Sequence, residues 1–169
     1  MARKVKCVDT GELSTSDLAY KAPNGKYFSS EANYLKWEEN KNYRLKCIDK
    51  MYEVLGYSPK MIIPTYFYKK LKEYEGVGYQ ALYNTMLSQD KSAHWALQNK
   101  QWTGETAKVM YLMAIYNNNV MDEYKKLVAE RRATQINNEV VDQLEAMTGL
   151  ANRHVYKPKD ISKWLEDED

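Results

Sequence analysis

The chain reads as a mainly α protein, a helical bundle with a small β-hairpin module at its N-terminus. Three observations predict this. Apolar residues recur at helical spacing through residues 78–124: Tyr79, Leu82, Tyr83, Met86 and Leu87 fall at i, i+3, i+4, i+7 and i+8, and Val109, Leu112, Met113 and Tyr116 repeat the pattern over residues 104–116. Helix start and stop residues bracket most of the remaining chain. Turn-punctuated, short alternating stretches are confined to roughly the first thirty residues. Residues 1–40 are read as the hairpin module, residues 41–148 as a bundle of five or six helices, and residues 149–169 as an acidic C-terminal tail.

Taken in order, residues 4–8 alternate around Val5 and Cys7 and suit a short strand, closed by the turn Asp9-Thr10-Gly11-Glu12. Residues 18–21 and 26–28 flank Ala22-Pro23-Asn24-Gly25, where Asn-Gly signals a hairpin because both residues tolerate positive φ. Ser29 or Ser30 then caps a helix with Glu31 in its first turn. That helix is expected to reach Leu55, with Leu45, Ile48, Tyr52 and Leu55 as its apolar line, Cys47 beside the line in the core, and Gly56 as its stop. Pro64 or Thr65 opens a helix over residues 66–74 that buries Phe67 and Leu71. Residues 79–88 form the next helix. Asp90 caps a short one carrying His94, Trp95 and Leu97, and Thr103 caps the one after it. Asn117-Asn118-Asn119 is expected to break the pattern before a long helix over residues 120–147, with Ile136, Val140, Val141 and Leu144 in its second half, a change of apolar register at residues 133–138, and Gly149 as its end. At the end of the chain, Ile161, Trp164 and Leu165 form an apolar anchor ahead of Glu166-Asp-Glu-Asp169.

Composition narrows the function classes. Fifteen Tyr and four Trp stand against two Phe. A Tyr or Trp covers apolar surface while keeping a polar edge, which suits half-buried positions, grooves and interfaces. No apolar run of about 18 residues exists, so no membrane span is expected. The opening MARKVKCVDTGE has no apolar h-region, so the expected location is cytoplasmic and the two cysteines, Cys7 and Cys47, are expected as reduced thiols. Residues 1–50 carry 10 basic and 7 acidic groups, residues 51–133 carry 11 and 8, and residues 134–169 carry 4 and 8. The body is therefore basic and the tail acidic.

Catalytic and cofactor signatures are missing from the sequence. There is no phosphate-binding G-x-x-x-x-G-K-[ST] and no dinucleotide-binding G-x-G-x-x-G. His94 and His154 lie in different elements and neither has a helical metal-ligand spacing. Glu38-Glu39 and Asp122-Glu123 are adjacent pairs whose members point to different sides of a helix. No enzyme, no cofactor and no metal is the expectation.

Two basic sets are candidate partner-binding residues. One is Lys69, Lys70 and Lys72 interleaved with Tyr66 and Tyr68; the other is Lys125, Lys126, Arg131 and Arg132. Lysines beside aromatic rings can hold phosphates while the rings stack on bases, and Arg3, Lys4 and Lys6 can add to such a face. The alternative is a solvated face with snorkelling lysines. Trp164 and Leu165 complete the candidates as a docking anchor, in cis, on a partner or on a second copy of the chain.

The residues C-V-D-T from Cys7 to Thr10, followed by G-K-Y-F-S-S-E-A-N-Y-L-K-W from Gly25 to Trp37, resemble a degenerate treble-clef zinc finger of the TRASH or MYM type. In that family a C-x-x-C knuckle precedes a hairpin, and a segment resembling F-C-S-x-x-C opens a helix and supplies the other two ligands. Thr10, Ser29 and Asn33 stand where three of the four thiols would be, and Cys7 alone remains. Zinc needs about four nitrogen or sulfur donors, so the resemblance implies a hairpin packed on a helix start by apolar contacts, without metal. The whole chain also resembles, in style, the small accessory proteins of bacteriophages of low-GC Gram-positive hosts. That likeness implies a non-enzymatic protein that binds a host or phage macromolecule, including inhibitors of host defence or of nucleic-acid processing. The expected function is protein–protein interaction; the alternative is a nucleic-acid-binding accessory factor using the Lys/Tyr face.

Overall fold

The computed structural model describes residues 3–58 and 60–153, with side chains to residue 144. The protein is mainly α, with two short hairpins at its N-terminal end. Its order is β1 (Lys4–Lys6), β2 (Leu13–Thr15), β3 (Tyr20–Lys21), β4 (Tyr27–Phe28), α1 (Glu31–Leu55), α2 (Thr65–Glu73), α3 (Tyr79–Ser88), α4 (Asp90–Asn99) and α5 (Glu105–Arg153). Two compact units divide the chain, Met1–Lys126 and Leu127–Asp169, with the boundary inside α5.

In the first unit, β1 and β2 pair antiparallel with Val5 opposite Ser14, and β3 pairs with β4 with Lys21 opposite Tyr27. β2 escapes the sequence pattern because Leu13-Ser-Thr15 is short and half polar. The second hairpin turns through Pro23, Asn24 and Gly25, with the Gly25 amide donating to the Ala22 carbonyl at 2.9 Å. Within this turn Gly25 alone has positive φ, at 78°. This is a type I turn followed by a left-handed residue, not the two-residue turn that Asn-Gly suggests. Asn24 instead accepts the Lys26 amide at 3.0 Å, which closes the turn from its side chain. The hairpins meet where the Val8 amide donates to the Tyr27 carbonyl at 2.8 Å.

The second hairpin packs on the start of α1 through Ala22, Phe28 and Tyr34, with Tyr20 and Trp37 against them. Ser30 is the N-cap, extended in backbone and accepting the Asn33 amide, and Gly56 ends the helix at φ 66°. The buried face of α1 differs from the expected one. Leu45 is 48 % exposed and Ile48, Tyr52 and Leu55 sit at the margin, whereas Cys47, Met51 and Val54 are in the core with Lys50 beside them. Two lines of similar hydrophobicity run along α1, and contact with α3 decides which one is covered. The Cys47 thiol donates to the Tyr79 carbonyl at 3.5 Å, and Asn40 accepts the Tyr79 amide at 3.1 Å, so α1 satisfies the first turn of α3 from outside. Lys50 is held at the other end of the contact by Glu53 at 2.7 Å and Asp90 at 2.8 Å.

α3 buries Tyr79, Ala81, Leu82, Thr85 and Met86, while Leu87 is exposed. Gln89 alone separates it from α4, whose buried residues are the small Ala93 and Ala96. Trp95 on this helix is 61 % exposed. From α5, Val109, Leu112, Met113, Tyr116 and Val120 enter the core. The Asn run does not interrupt this helix: Asn117 accepts a hydrogen bond from the Tyr74 hydroxyl at 3.3 Å, and Asn119 donates back to the Ile115 carbonyl at 2.7 Å. Their side chains are thus occupied without competing for the helical backbone. Nor does the helix stop at Gly149; it runs on to Arg153, with Leu150, Ala151 and Arg153, all good helix formers, on the far side.

In the second unit, Leu127 is buried and Val128 half-buried, and every side chain of residues 129–144 is exposed. No helix of the described residues is long and apolar enough to cross a membrane.

Candidate functional site

The helix face expected on α2 is only partly available. Tyr68 lies edge-on against the buried Phe67, ring centroids 5.4 Å apart, and burial, followed by the neighbouring Tyr52 hydroxyl, raises its pKa. Lys70 is paired to Glu73 at 2.9 Å. Lys69 and Lys72 are exposed and Tyr66 is half-buried. On α5, Lys126 lies 2.7 Å from Glu123 and Lys125 3.9 Å from Asp122. Arg131 and Arg132 are exposed and belong to the second unit. Trp164 and Leu165 lie outside the described residues.

Several aromatic faces are covered by the chain's own lysines. Lys26 and Lys41 stand 5.2 Å and 5.5 Å from the Trp37 ring centre, Lys46 stands 4.6 Å from Tyr43, and Lys100 stands 4.0 Å from Tyr111. These contacts are cation–π pairs in which stem and charge both cover the ring.

The positions that the zinc-finger resemblance singles out hold a polar clamp. Asp9 accepts from the Ser29 amide at 3.0 Å, from the Ser29 hydroxyl and from Asn33 Nδ2 at 3.0 Å, and Asn33 Nδ2 also donates to Ser29 Oγ at 2.7 Å. Burial opposes the Asp9 charge, but the bonds from Ser29 and Asn33 outweigh it and hold the carboxyl below its ordinary value. Cys7 is buried and Thr10 exposed, its hydroxyl accepting the Glu12 amide at 3.3 Å. Among the described residues, no three His, Cys, Asp or Glu side chains gather where a metal could sit.

Burial pushes the Cys47 thiol up to about 12, so almost none of it is thiolate at neutral pH. His94 Nδ1 faces the Asp90 carbonyl at 3.0 Å and its carboxylate at 3.5 Å, one helical turn back on the same helix.

Two surfaces emerge that spacing alone did not single out as sites. The first is the second half of α5, where Ile136, Val140, Val141 and Leu144 are 47–60 % exposed. The sequence shows this line as the apolar positions of the long helix, without assigning it a role. The second is a groove of about 530 Å³ on the hairpin module, lined by Arg3, Lys4, Val5, Lys6, Lys21, Gly25 and Tyr27. Its cations come from two strands, so only the first three were visible together. No family model, curated protein or solved structure matches the chain.

Proposed function

We propose that the protein is a non-enzymatic binding protein that docks on another protein through the second half of α5. The observation that carries this is the run of exposed residues 129–144, with Ile136, Val140 and Leu144 at i, i+4 and i+8 and Val141 beside them. Helices draw most of their stability from burying an apolar face, and an isolated segment of this length is marginal in water. Four large aliphatic side chains along one exposed helix form a patch of the kind that marks an interaction surface.

The spacing fits a helix laid in a groove, read as successive anchors. Arg131 and Arg132 precede the anchors and Glu139 and Asp142 run among them. The matching partner is therefore a protein with an apolar groove, acidic toward one end and basic along the rest. A host or phage protein whose groove is blocked in this way would be inhibited, the mode that the phage-like character of the chain suggests.

The test is a pull-down from host cell extract, with and without nuclease, using the wild-type chain and the double variant Ile136→Asp, Val140→Asp. Both positions are exposed, so the folded body should change by no more than about 0.5 kcal/mol. A defined protein captured by the wild type, retained after nuclease and lost with the variant supports docking by this face. Equal capture by the two, or none by either, overturns it. Sedimentation of both forms adds one more outcome: self-association of the wild type alone would make the occupant a second copy and would overturn the heterologous reading.

A further inference from the structure

We infer that the groove on the hairpin module binds single-stranded nucleic acid, independently of the α5 surface. Lys4 and Lys6 project from the same face of β1, about 7 Å apart, because side chains two residues apart in a strand share a side. Lys21 arrives from β3, opposite Tyr27 of β4, and Arg3 enters from the chain just before β1. Four cations therefore line one concavity of about 530 Å³, and none of its lining residues is acidic.

Five helical lysines are neutralised locally. Lys50, Lys70, Lys108, Lys125 and Lys126 each have a carboxylate three residues away on the same helix, at 2.7–3.9 Å. A strand cannot do this, since residue i±3 points to the opposite face. The groove cations have no ion pair among the described residues. A concave surface of one sign focuses potential and draws counter-ions, and an anion seated there relieves the mutual repulsion of the four charges.

The shape selects the class of anion. A concavity of this volume can receive a nucleotide or two of a flexible strand, whose bases are free to turn toward the wall. Tyr27 is half-buried at the wall and offers a ring beside the cations. Cations that track a phosphate backbone, combined with an aromatic side chain, are the elements of sequence-tolerant single-strand binding. Gly25 leaves the rim open, with no atom within 4 Å of where a Cβ would stand.

The experiment is fluorescence anisotropy with a labelled single strand of about 12 nucleotides, titrated with the full chain across a salt series. Neutralising three to four phosphates predicts a log–log salt slope between about −2.1 and −2.8, a loss of about 18- to 50-fold in affinity between 50 and 200 mM salt. The variant Lys4→Gln, Lys6→Gln should make the slope shallower by about 1.4, and Lys21→Gln alone by about 0.7. The variant Lys60→Gln, Lys91→Gln, at exposed positions away from the groove lining, should leave the slope where it was. Circular dichroism checks that each variant is folded, and the two groove variants alter different strands, so misfolding of one leaves the other to decide. No binding at 50 mM salt overturns the inference. So do equal slopes for the wild type and the groove variants, equal or tighter binding of the matching duplex, and binding of anionic lipid vesicles without binding of the strand. None of these outcomes bears on the α5 surface, whose variants leave the groove intact.

Discussion

The hydroxyl of Tyr74, just past the end of α2, donates to Asn117 Oδ1 on α5 at 3.3 Å. This bond ties the end of α2 to α5 and occupies the side chain of the first of three consecutive asparagines that remain helical. Tyr74 is buried, so removing its hydroxyl takes away a partly buried hydrogen bond without opening a cavity. The expected cost of Tyr74→Phe is about 0.5–1.5 kcal/mol, read as a lower denaturation midpoint in urea at unchanged slope. An unchanged midpoint would mean that helix propensity alone carries α5 through residues 117–119.

The same substitution at Tyr116 should act with the opposite sign. Tyr116 is fully buried and its hydroxyl has no hydrogen-bond partner among the described residues. Burial, and after it the Asp90 carboxylate, raises its pKa. A buried donor left unsatisfied costs about 1–3 kcal/mol. Tyr116→Phe should therefore be neutral or stabilising by up to about 2 kcal/mol, and a clear loss of stability would reveal a partner for that hydroxyl.

Stability should fall steeply in alkali. Burial, then the carboxylates of Glu105 and Glu73 respectively, pushes Tyr57 and Tyr74 up to about 12 from 10.0. The fold thus favours the neutral phenols; their contribution is complete below pH 10 and is lost as pH rises through about 12. Lys50 acts in the same direction. Burial disfavours its charge, but Asp90 and Glu53 outweigh burial and raise its pKa, so its contribution is complete below 10.5 and declines above. Tyrosinate absorbance followed with circular dichroism should show a late-ionising subset of tyrosines that titrates together with unfolding. Tyr57→Phe should make the decline shallower.

Acid acts on the hairpin module with the reverse sign. The Asp9 carboxyl is held below 3.8, so the stability it lends is present above that pH and is lost as pH falls through its lower folded value. A side-chain NMR titration should place Asp9 below ordinary aspartates. Asp9→Ala should increase hydrogen exchange at the Ser29 amide, which donates to that carboxylate.

Local signals in the sequence were sufficient for most helix limits. Ser30 and Gly56 cap α1 by their own backbone and side-chain chemistry, and Tyr79 to Ser88 is bounded by a positive-φ Gly78 and a change of direction at Gln89. What eluded the pattern depended on distant residues. The choice between the Leu45 and Cys47 lines of α1 belongs to α3, and the continuity of α5 depends in part on Tyr74. The buried face of α4 is Ala93 and Ala96, whose small side chains give little periodic signal. The groove was half legible: Lys4 and Lys6 read as one face of a strand, but Lys21 joins them only once two hairpins have formed.

Both native thiols are sealed, Cys7 among the hairpins and Cys47 in the contact between α1 and α3. An alkylating reagent should reach them only when the surrounding structure opens, and the rate of modification then measures the free energy of that opening. The two cysteines act as separate clocks, one in the strand module and one in the bundle, and they need no engineered label.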